Sequence, residues 1–517
     1  MQPLWRRRLV FDIPVRDPGL WNSDGVRGEL SRTLGFLSDD SYEFHFHKFK
    51  ATPPTPEAYF PFSSKGLGTD PERVVLFSGG LDSLGGAIKE VVTDKSPVFL
   101  LTHESTQKLR QRHRTLREQI DSRAGKSRPT HVIIRVNKKK GLSKDYTQRG
   151  RSFLYASLAA AVARMSGLDT VRFYENGVVS SNLPLAEDVV GGRATRTTHP
   201  IVLNGFARIF SMLSEADGGR PIGVENAFFE KTKADVVRFV LANDCGSMIE
   251  TTTSCTHTWT WTHEHTHCGV CSQCIDRRFA VLAANAAAFD PSARYAADLL
   301  LDPRPKDEDI RLVAGYVETA RVLSQMSVPD FKESLGQVFR LANAMPGSID
   351  DNIAMLHDLH LRHGQDVSDV IAAALAQHSQ AILNRTLAPN CLLQLVHDQS
   401  VPAEGMVGVS EADPLKASED TDAQFIFRRA EKAWEYRFNS TDSRLRIITR
   451  PKGAAYLHAL LSNPNREFSV AKLVLEVANA PAGLINTAPS TGDEVIDDAA
   501  LGMMWSEYQD HQGAIEE

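Results

Sequence analysis

Long apolar runs are missing from this chain. None approaches the ~18 residues that a membrane-spanning helix needs, so no membrane partner is expected. The N-terminal Met-Gln-Pro-Leu-Trp-Arg-Arg-Arg stretch is basic, but no apolar segment follows it, which argues against a secretory signal. Cysteine is scarce. Six in 517 residues do not make a disulfide scaffold, and four of the six cluster, which points to a bound metal and a cytoplasmic, reducing location. A strong excess of one charge is also absent. The net charge of −6 indicates no general nucleic-acid-binding surface, although local basic clusters exist. There are no internal repeats. What remains is an ordinary soluble composition, 42% hydrophobic and 24% charged, on a chain long enough for roughly two to four domains.

One short stretch is far from ordinary. Residues 73–83 read Arg-Val-Val-Leu-Phe-Ser-Gly-Gly-Leu-Asp-Ser. Residues 74–77 read as a buried parallel strand, and a helical segment follows the turn. Gly79 and Gly80 let the backbone bend sharply and approach a ligand closely. Amides of the turn and of the next helix then converge on an anion, with Phe77, Ser78, Gly79, Gly80, Leu81, Asp82 and Ser83 forming the cradle. Ser78 and Ser83 add hydroxyl donors. Asp82 suits such a cradle if Mg²⁺ binds there or if the side chain caps the helix. The turn lacks the lysine of GxxxxGK[ST] and does not match GxGxxG. A plain strand–turn–helix corner is the bland alternative.

The rest of the chain sorts into four parts. Residues 1–72 hold strand-like pieces at 9–13 and 42–47 and a Pro-rich stretch, and read as a cap or interaction segment. Residues 73–290 alternate apolar strands (98–102, 131–136, 171–174) with helical stretches (107–120, 153–165, 207–213, 233–241), the pattern of a doubly wound α/β domain with a parallel sheet. Ligand should lie at the carboxyl ends of its strands. Residues 291–415 read as a helical domain and acidic linker, with helices at 309–323 and 367–383. Residues 416–517 read as a small α+β module resembling a winged helix, with strands at 434–438 and 445–448 and helices at 453–461 and 469–476. Nucleic-acid contact by this module and a purely scaffolding role both stay open.

Cys255, Cys268, Cys271 and Cys274 are spaced C-x12-C-x2-C-x2-C. Two adjacent C-x2-C units and a fourth thiolate across a loop supply a tetrahedral Cys₄ zinc site, which is closed and structural. His257, His263, His265 and His267 lie in that loop, and one of them could replace Cys255. Cys245 and Cys391 stand apart as core thiols. Arg277 and Arg278, just past the cluster, either point back toward the turn or open a solvated helix.

The turn resembles the pyrophosphate loop of the PP-loop ATP pyrophosphatases, whose fold is of the HUP type. With the cysteine pattern, it resembles the QueC-type 7-cyano-7-deazaguanine synthases in particular. Arg149-Gly-Arg-Ser-Phe-Leu154 looks like that family's Arg-containing segment, which marks Arg151. Lys231-Thr-Lys-Ala-Asp-Val-Val237 looks like its KTKAEI helix start, which marks Lys231. The resemblance covers about residues 73–285. It implies ATP, Mg²⁺ and Zn²⁺ as cofactors, with Ser78, Asp82, Ser83, Arg151 and Lys231 in catalysis. It also implies adenylation of a 7-deazaguanine-type carboxylate, followed by attack of an amine.

Two features depart from that family. The chain is much longer, and the family's acceptor loop is replaced by Phe173-Tyr-Glu-Asn-Gly-Val-Val-Ser-Ser-Asn-Leu-Pro184. Glu175 and Asn176 sit there, placed either to read a guanine-like edge or to cap a strand end. The basic stretch 193–199 is either an anion contact or a solvated loop. These departures look like the QueC-like proteins of anti-phage islands, the QatC and type IV CBASS group. That likeness implies an operon-encoded protein as the amine acceptor, and a homodimer is compatible with it. The alternatives are a nitrile synthase using ammonia for queuosine or DNA modification, a tRNA-modifying enzyme, and a non-catalytic nucleotide sensor.

Overall fold

The computed structural model describes residues 7–51, 71–104, 107–136, 149–183, 196–257, 260, 262, 264–304, 306–334, 336–400, 426–430, 433–437 and 446–448. The chain divides into two units, Met1–Met406 and Val407–Glu517.

The first unit opens with β1 (Arg8–Val15), α1 (Pro18–Trp21), α2 (Asp24–Ser38) and β2 (Ser41–Lys48). β1 and β2 pair in parallel from Arg8↔Ser41 to Val15↔Lys48. Parallel pairing needs a crossover, and α1 and α2 supply it. Ser23 caps α2 by accepting from the Val26 amide, and Asp39 ends it in the left-handed region at φ 64°. Val26, Leu30, Leu34 and Leu37 follow helical spacing and face inward.

The central sheet is built from β3 (Arg73–Leu76), β4 (Val98–His103), β5 (Thr130–Ile134), β6 (Thr170–Phe173) and β7 (Gly223–Asn226). All neighbours are parallel in the order β5-β4-β3-β6-β7. Their connections carry α3 (Leu81–Ile88), α4 (Gln107–Arg123), α5 (Arg151–Met165), α6 (Gly177–Ser181) and α7 (Pro200–Ala216), and α8 (Lys233–Ala242) follows β7. β3 shows why both faces are covered. Val74 and Leu76 join one core with α2, α5 and α7, whereas Val75 and Phe77 join another with α3, α4 and α8. Thus the N-terminal segment shares an apolar core with the sheet. The strand order reverses at β3, which opens a crevice at the carboxyl ends of β3 and β6.

Helices α9 (Ser272–Ala283), α10 (Asp307–Gln325), α11 (Val328–Ser334), α12 (Gly336–Asn343), α13 (Ile349–Gln377), α14 (Ser379–Leu383) and α15 (Leu392–Ser400) complete the unit. Ile275 and Phe279 of α9 enter one core with Val313 and Tyr316 of α10 and Val367 of α13. The sequence reading finds only the last third of α13. Earlier inward positions are held by Asn352, His360 and His363, so the apolar stripe is broken there by buried polar groups. In the second unit, β8 (Ile426–Ala430), β9 (Ala433–Arg437) and β10 (Arg446–Ile448) form an antiparallel sheet in the order β10-β9-β8. The helices expected at 453–461 and 469–476 and the linker at 404–424 lie outside the described residues. Among the described residues no helix is long and apolar enough to cross a membrane.

Several histidines are buried, and burial pushes them below their ordinary value of 6.5, to about 3 for His199 and about 3 for His360. His199 also caps α7, its Nδ1 accepting from the Ile201 amide at 3.2 Å. An unfolded histidine takes a proton as pH falls through its ordinary value, whereas these folded ones stay neutral. Stability is therefore fully present above pH 6.5 and is lost progressively below it. By pH 5 each such site costs about 2 kcal/mol. Urea unfolding should show this slope, and His199→Asn, which keeps a capping acceptor but cannot titrate, should flatten it. An unchanged slope in the variant would refute the assignment.

Candidate active site at the carboxyl edge of the sheet

The turn 78–80 leaves β3 and starts α3. Gly79 has φ +77°, and a Cβ there would sit 2.6 Å from His113 Cδ2, so only glycine fits without displacing the imidazole. Each carbonyl of the turn is engaged from within the protein. His113 Nε2 donates to Ser78 O at 3.0 Å. The Thr253 amide donates to Gly79 O at 2.9 Å, and the Leu84 amide to Gly80 O at 2.9 Å. Ser83 Oγ also donates to Gly80 O at 3.0 Å, and Ser78 Oγ donates to Ser83 Oγ at 3.2 Å. Gly80 occupies the cap position of α3, and no side chain caps that end. The amides of the first turn therefore lack the protein acceptor that a cap provides. Carbonyls turned into the protein and uncapped amides together make an anion-attracting lip, reinforced by the helix dipole.

Asp82 does not cap α3. It enters a buried charge cluster with Lys233, whose Nζ lies 3.1 Å from Asp82 Oδ2 and 2.8 Å from Asp276 Oδ2. Burial disfavours the ammonium, but Asp276 and Asp82 outweigh it and hold Lys233 above its ordinary range. Glu175 is partly buried beside them. Burial, together with the neighbouring Asp82 carboxylate, raises its carboxyl well above the usual range. Asp82 Oδ1 is buried and receives no N–H or hydroxyl donor among the described residues.

The sequence reading marked Lys231, but the structure puts its Nζ over the Phe228 ring at 5.9 Å. Lys233, two residues on, is the lysine that reaches Asp82. It opens α8, where Thr232 and Asp235 form a capping box. Asn176 caps α6, its Oδ1 accepting from the Val179 amide at 3.1 Å. Glu175 belongs to the cluster instead. Asn226 at the end of β7 clamps its backbone on both sides, accepting from Glu175 N at 3.0 Å and donating to Glu175 O at 2.8 Å. Arg151 is exposed and donates to the Tyr155 hydroxyl at 2.9 Å. On the β4–β5 side, Glu104 meets Arg135 at 2.9 Å, Arg110 at 3.5 Å and Arg117 at 3.6 Å. Three guanidinium groups around one carboxylate leave that flank positive.

The four cysteines meet as one buried cluster. Their sulfurs all lie within 4.8 Å of one another, and Cys268 Sγ and Cys274 Sγ are 3.9 Å apart. Zn–S bonds of about 2.3 Å in a tetrahedron place sulfurs about 3.8 Å apart, so this donor set fits a metal such as zinc. Cys255 fills the fourth position. His267, from the same loop, instead stacks on Tyr295 at 4.8 Å between ring centres. Arg277 braces the segment just before Cys255. Its Nη1 reaches Thr252 Oγ1 at 2.6 Å, and its Nη2 reaches Ile249 O at 2.9 Å and Asp290 Oδ1 at 2.8 Å. Arg278 donates to Asp290 O. Neither arginine enters the turn. Arg277 acts through residues 252–254, which carry the Thr253 amide to Gly79.

Comparison with models of known protein families and with curated proteins gives no match.

Purified protein should carry about one zinc per chain by elemental analysis. Stripping it with a strong chelator should lower the melting temperature and speed amide exchange at 252–255. A metal-free preparation with unchanged melting would contradict a structural zinc. Gly79→Ala should lose anion binding at the turn with a modest fall in stability, about 1–2 kcal/mol. Pyrophosphate affinity equal to that of the parent protein would show that the turn tolerates a Cβ.

Proposed function

We propose that this chain is an ATP-dependent adenylating enzyme of the QueC-like PP-loop kind, with a 7-deazaguanine-type carboxylate as substrate. The carrying observation is the lip at Ser78–Ser83, where the carbonyls are all turned into the protein and the first amides of α3 are uncapped. That lip suits the leaving pyrophosphate. A carboxylate is a poor electrophile until one oxygen carries a good leaving group. Its oxygen attacks the α-phosphorus, the bond from that phosphorus to the β-phosphate bridge oxygen breaks, and pyrophosphate departs. An amine nitrogen then attacks the acyl carbon, loses a proton and expels AMP. The positive flank of Arg110, Arg117 and Arg135 supports an anionic substrate. Asp82 fits a Mg²⁺ ligand, since its Oδ1 is buried and unpartnered by N–H or hydroxyl. When bound, Mg²⁺ stabilises the charge of the departing pyrophosphate. Lys233 takes the place first given to Lys231, and the Ser78 and Ser83 hydroxyls, which donate within the turn at rest, rotate outward to donate to phosphate oxygens.

The chain length beyond the catalytic region supports an operon-encoded protein as the amine acceptor in anti-phage defence. Incubation with Mg-ATP, 7-carboxy-7-deazaguanine and the neighbouring operon protein should give AMP and pyrophosphate together with a mass gain on that protein. Asp82→Asn should slow AMP release by on the order of 10²-fold. Free 7-cyano-7-deazaguanine formed from ammonium without a partner would replace the protein acceptor with the nitrile-synthase alternative. ADP and phosphate as products, or no turnover, would defeat the adenylation reading.

A further inference from the structure

The charge cluster does not stop at α9. Asp276 has two oxygens, and each has its own partner. Oδ2 faces Lys233 at 2.8 Å, and Oδ1 accepts from the Tyr316 hydroxyl at 2.9 Å. Tyr316 lies on α10, in the helical part of the unit, and is itself held rigidly. Its ring stacks on Phe279 at 5.3 Å and takes the edge of His363 at 5.5 Å. We propose that Tyr316 is a positioning residue for the candidate nucleotide site: its hydroxyl fixes the Asp276 carboxylate, which holds Lys233 against Asp82. The functional half of this inference rests on the adenylation reading, because it assumes that Asp82 serves the nucleotide.

The physical case is one of constraint. A carboxylate and an ammonium buried together are tolerated only when further hydrogen bonds satisfy their remaining valences. Lys233 is 2% exposed at its side chain and lies 3.5 Å from Gln273 Oε1, a weak third contact, so its position depends on the two carboxylates. Asp276 in turn has the Tyr316 hydroxyl as its neutral donor. Removing that hydroxyl frees the carboxylate to rotate, Lys233 follows it, and Asp82 loses its fixed orientation. The chain of contacts crosses four helices, α3, α8, α9 and α10, so helices outside the α/β layers help to set the geometry at the turn.

The contact chain itself can be read without turnover. In a double-mutant cycle on urea unfolding, Tyr316→Phe and Asp82→Asn should shift the midpoint by less together than the sum of their separate shifts. Tyr316→Phe combined with His113→Gln should add, since His113 touches the turn from the other side. Additive behaviour of the first pair would overturn the proposal. The functional half uses the full chain with Mg-ATP. Tyr316→Phe should raise KM for Mg-ATP and lower kcat/KM about tenfold, the loss of one hydrogen bond to a charged group. Phe279→Leu, which loosens the ring packing but leaves the hydroxyl in place, should lower the melting temperature while raising KM less than Tyr316→Phe does. Equal KM in Tyr316→Phe and the parent protein would also overturn the proposal. Absence of AMP from the parent protein would instead count against the adenylation reading, and the unfolding cycle would still decide the contact chain.

Discussion

The candidate site depends on a single buried cation. Lys233 lies between Asp82 and Asp276, and neither carboxylate would be tolerable in its place without that ammonium. Isolated charges of this kind cost several kcal/mol each to bury, and the cost is offset only in a well-formed group. Glu175 extends the same logic. Burial, and then the charge of the neighbouring Asp82, raise the carboxyl of this third acid well above its usual range.

Two independent braces converge on the turn that precedes Asp82. From the β4 side, His113 on α4 donates to Ser78 O. From the opposite side, residues 252–254 deliver the Thr253 amide to Gly79 O. That segment has no regular structure of its own to hold it. Arg277 grips it from within, and Cys255 anchors its far end in the thiol cluster. A metal in that cluster would act on the turn at a distance of two residues in sequence, through backbone placement and without touching a ligand. This accounts for a closed four-thiolate set beside a candidate nucleotide site, where a metal with an open coordination position would serve no evident purpose.

Much of this architecture was legible in the sequence, and the failures share a cause. The strands β3 and β4 announced themselves because strands buried on both faces are continuous apolar runs, whereas β6, Thr-Val-Arg-Phe, buries only alternate residues. β7, Gly-Val-Glu-Asn, is short and half polar, and passed unnoticed. The turn was legible because glycine and serine at fixed spacing have few other uses. The four cysteines were legible for the same reason, and the structure brings all four together. Lys233, Asp276, Tyr316 and His113 were not legible as site residues. Each is an ordinary polar residue on a helix, and only tertiary packing reveals that it is buried. The choice of Lys231 over Lys233 shows the limit well. Both belong to the same motif, and a helix start two residues away decides which one turns inward.

The two flanks of the turn are electrostatically unlike, and this constrains what can bind. On the β6–β7 side, Asp82, Asp276 and Glu175 lie around one lysine. On the β4–β5 side, Arg110, Arg117 and Arg135 surround one glutamate. An anion seated on the α3 amides is thus drawn toward the arginine flank, whereas a cation accompanying it is drawn toward Asp82. A phosphate chain with a bound divalent ion has this polarity along its length, and a bare carboxylate or a neutral base has not. The same field disfavours a reversed orientation, because the anion would then face the Asp82 and Asp276 carboxylates. For such a ligand, orientation would follow from charge placed on different helices and strand ends.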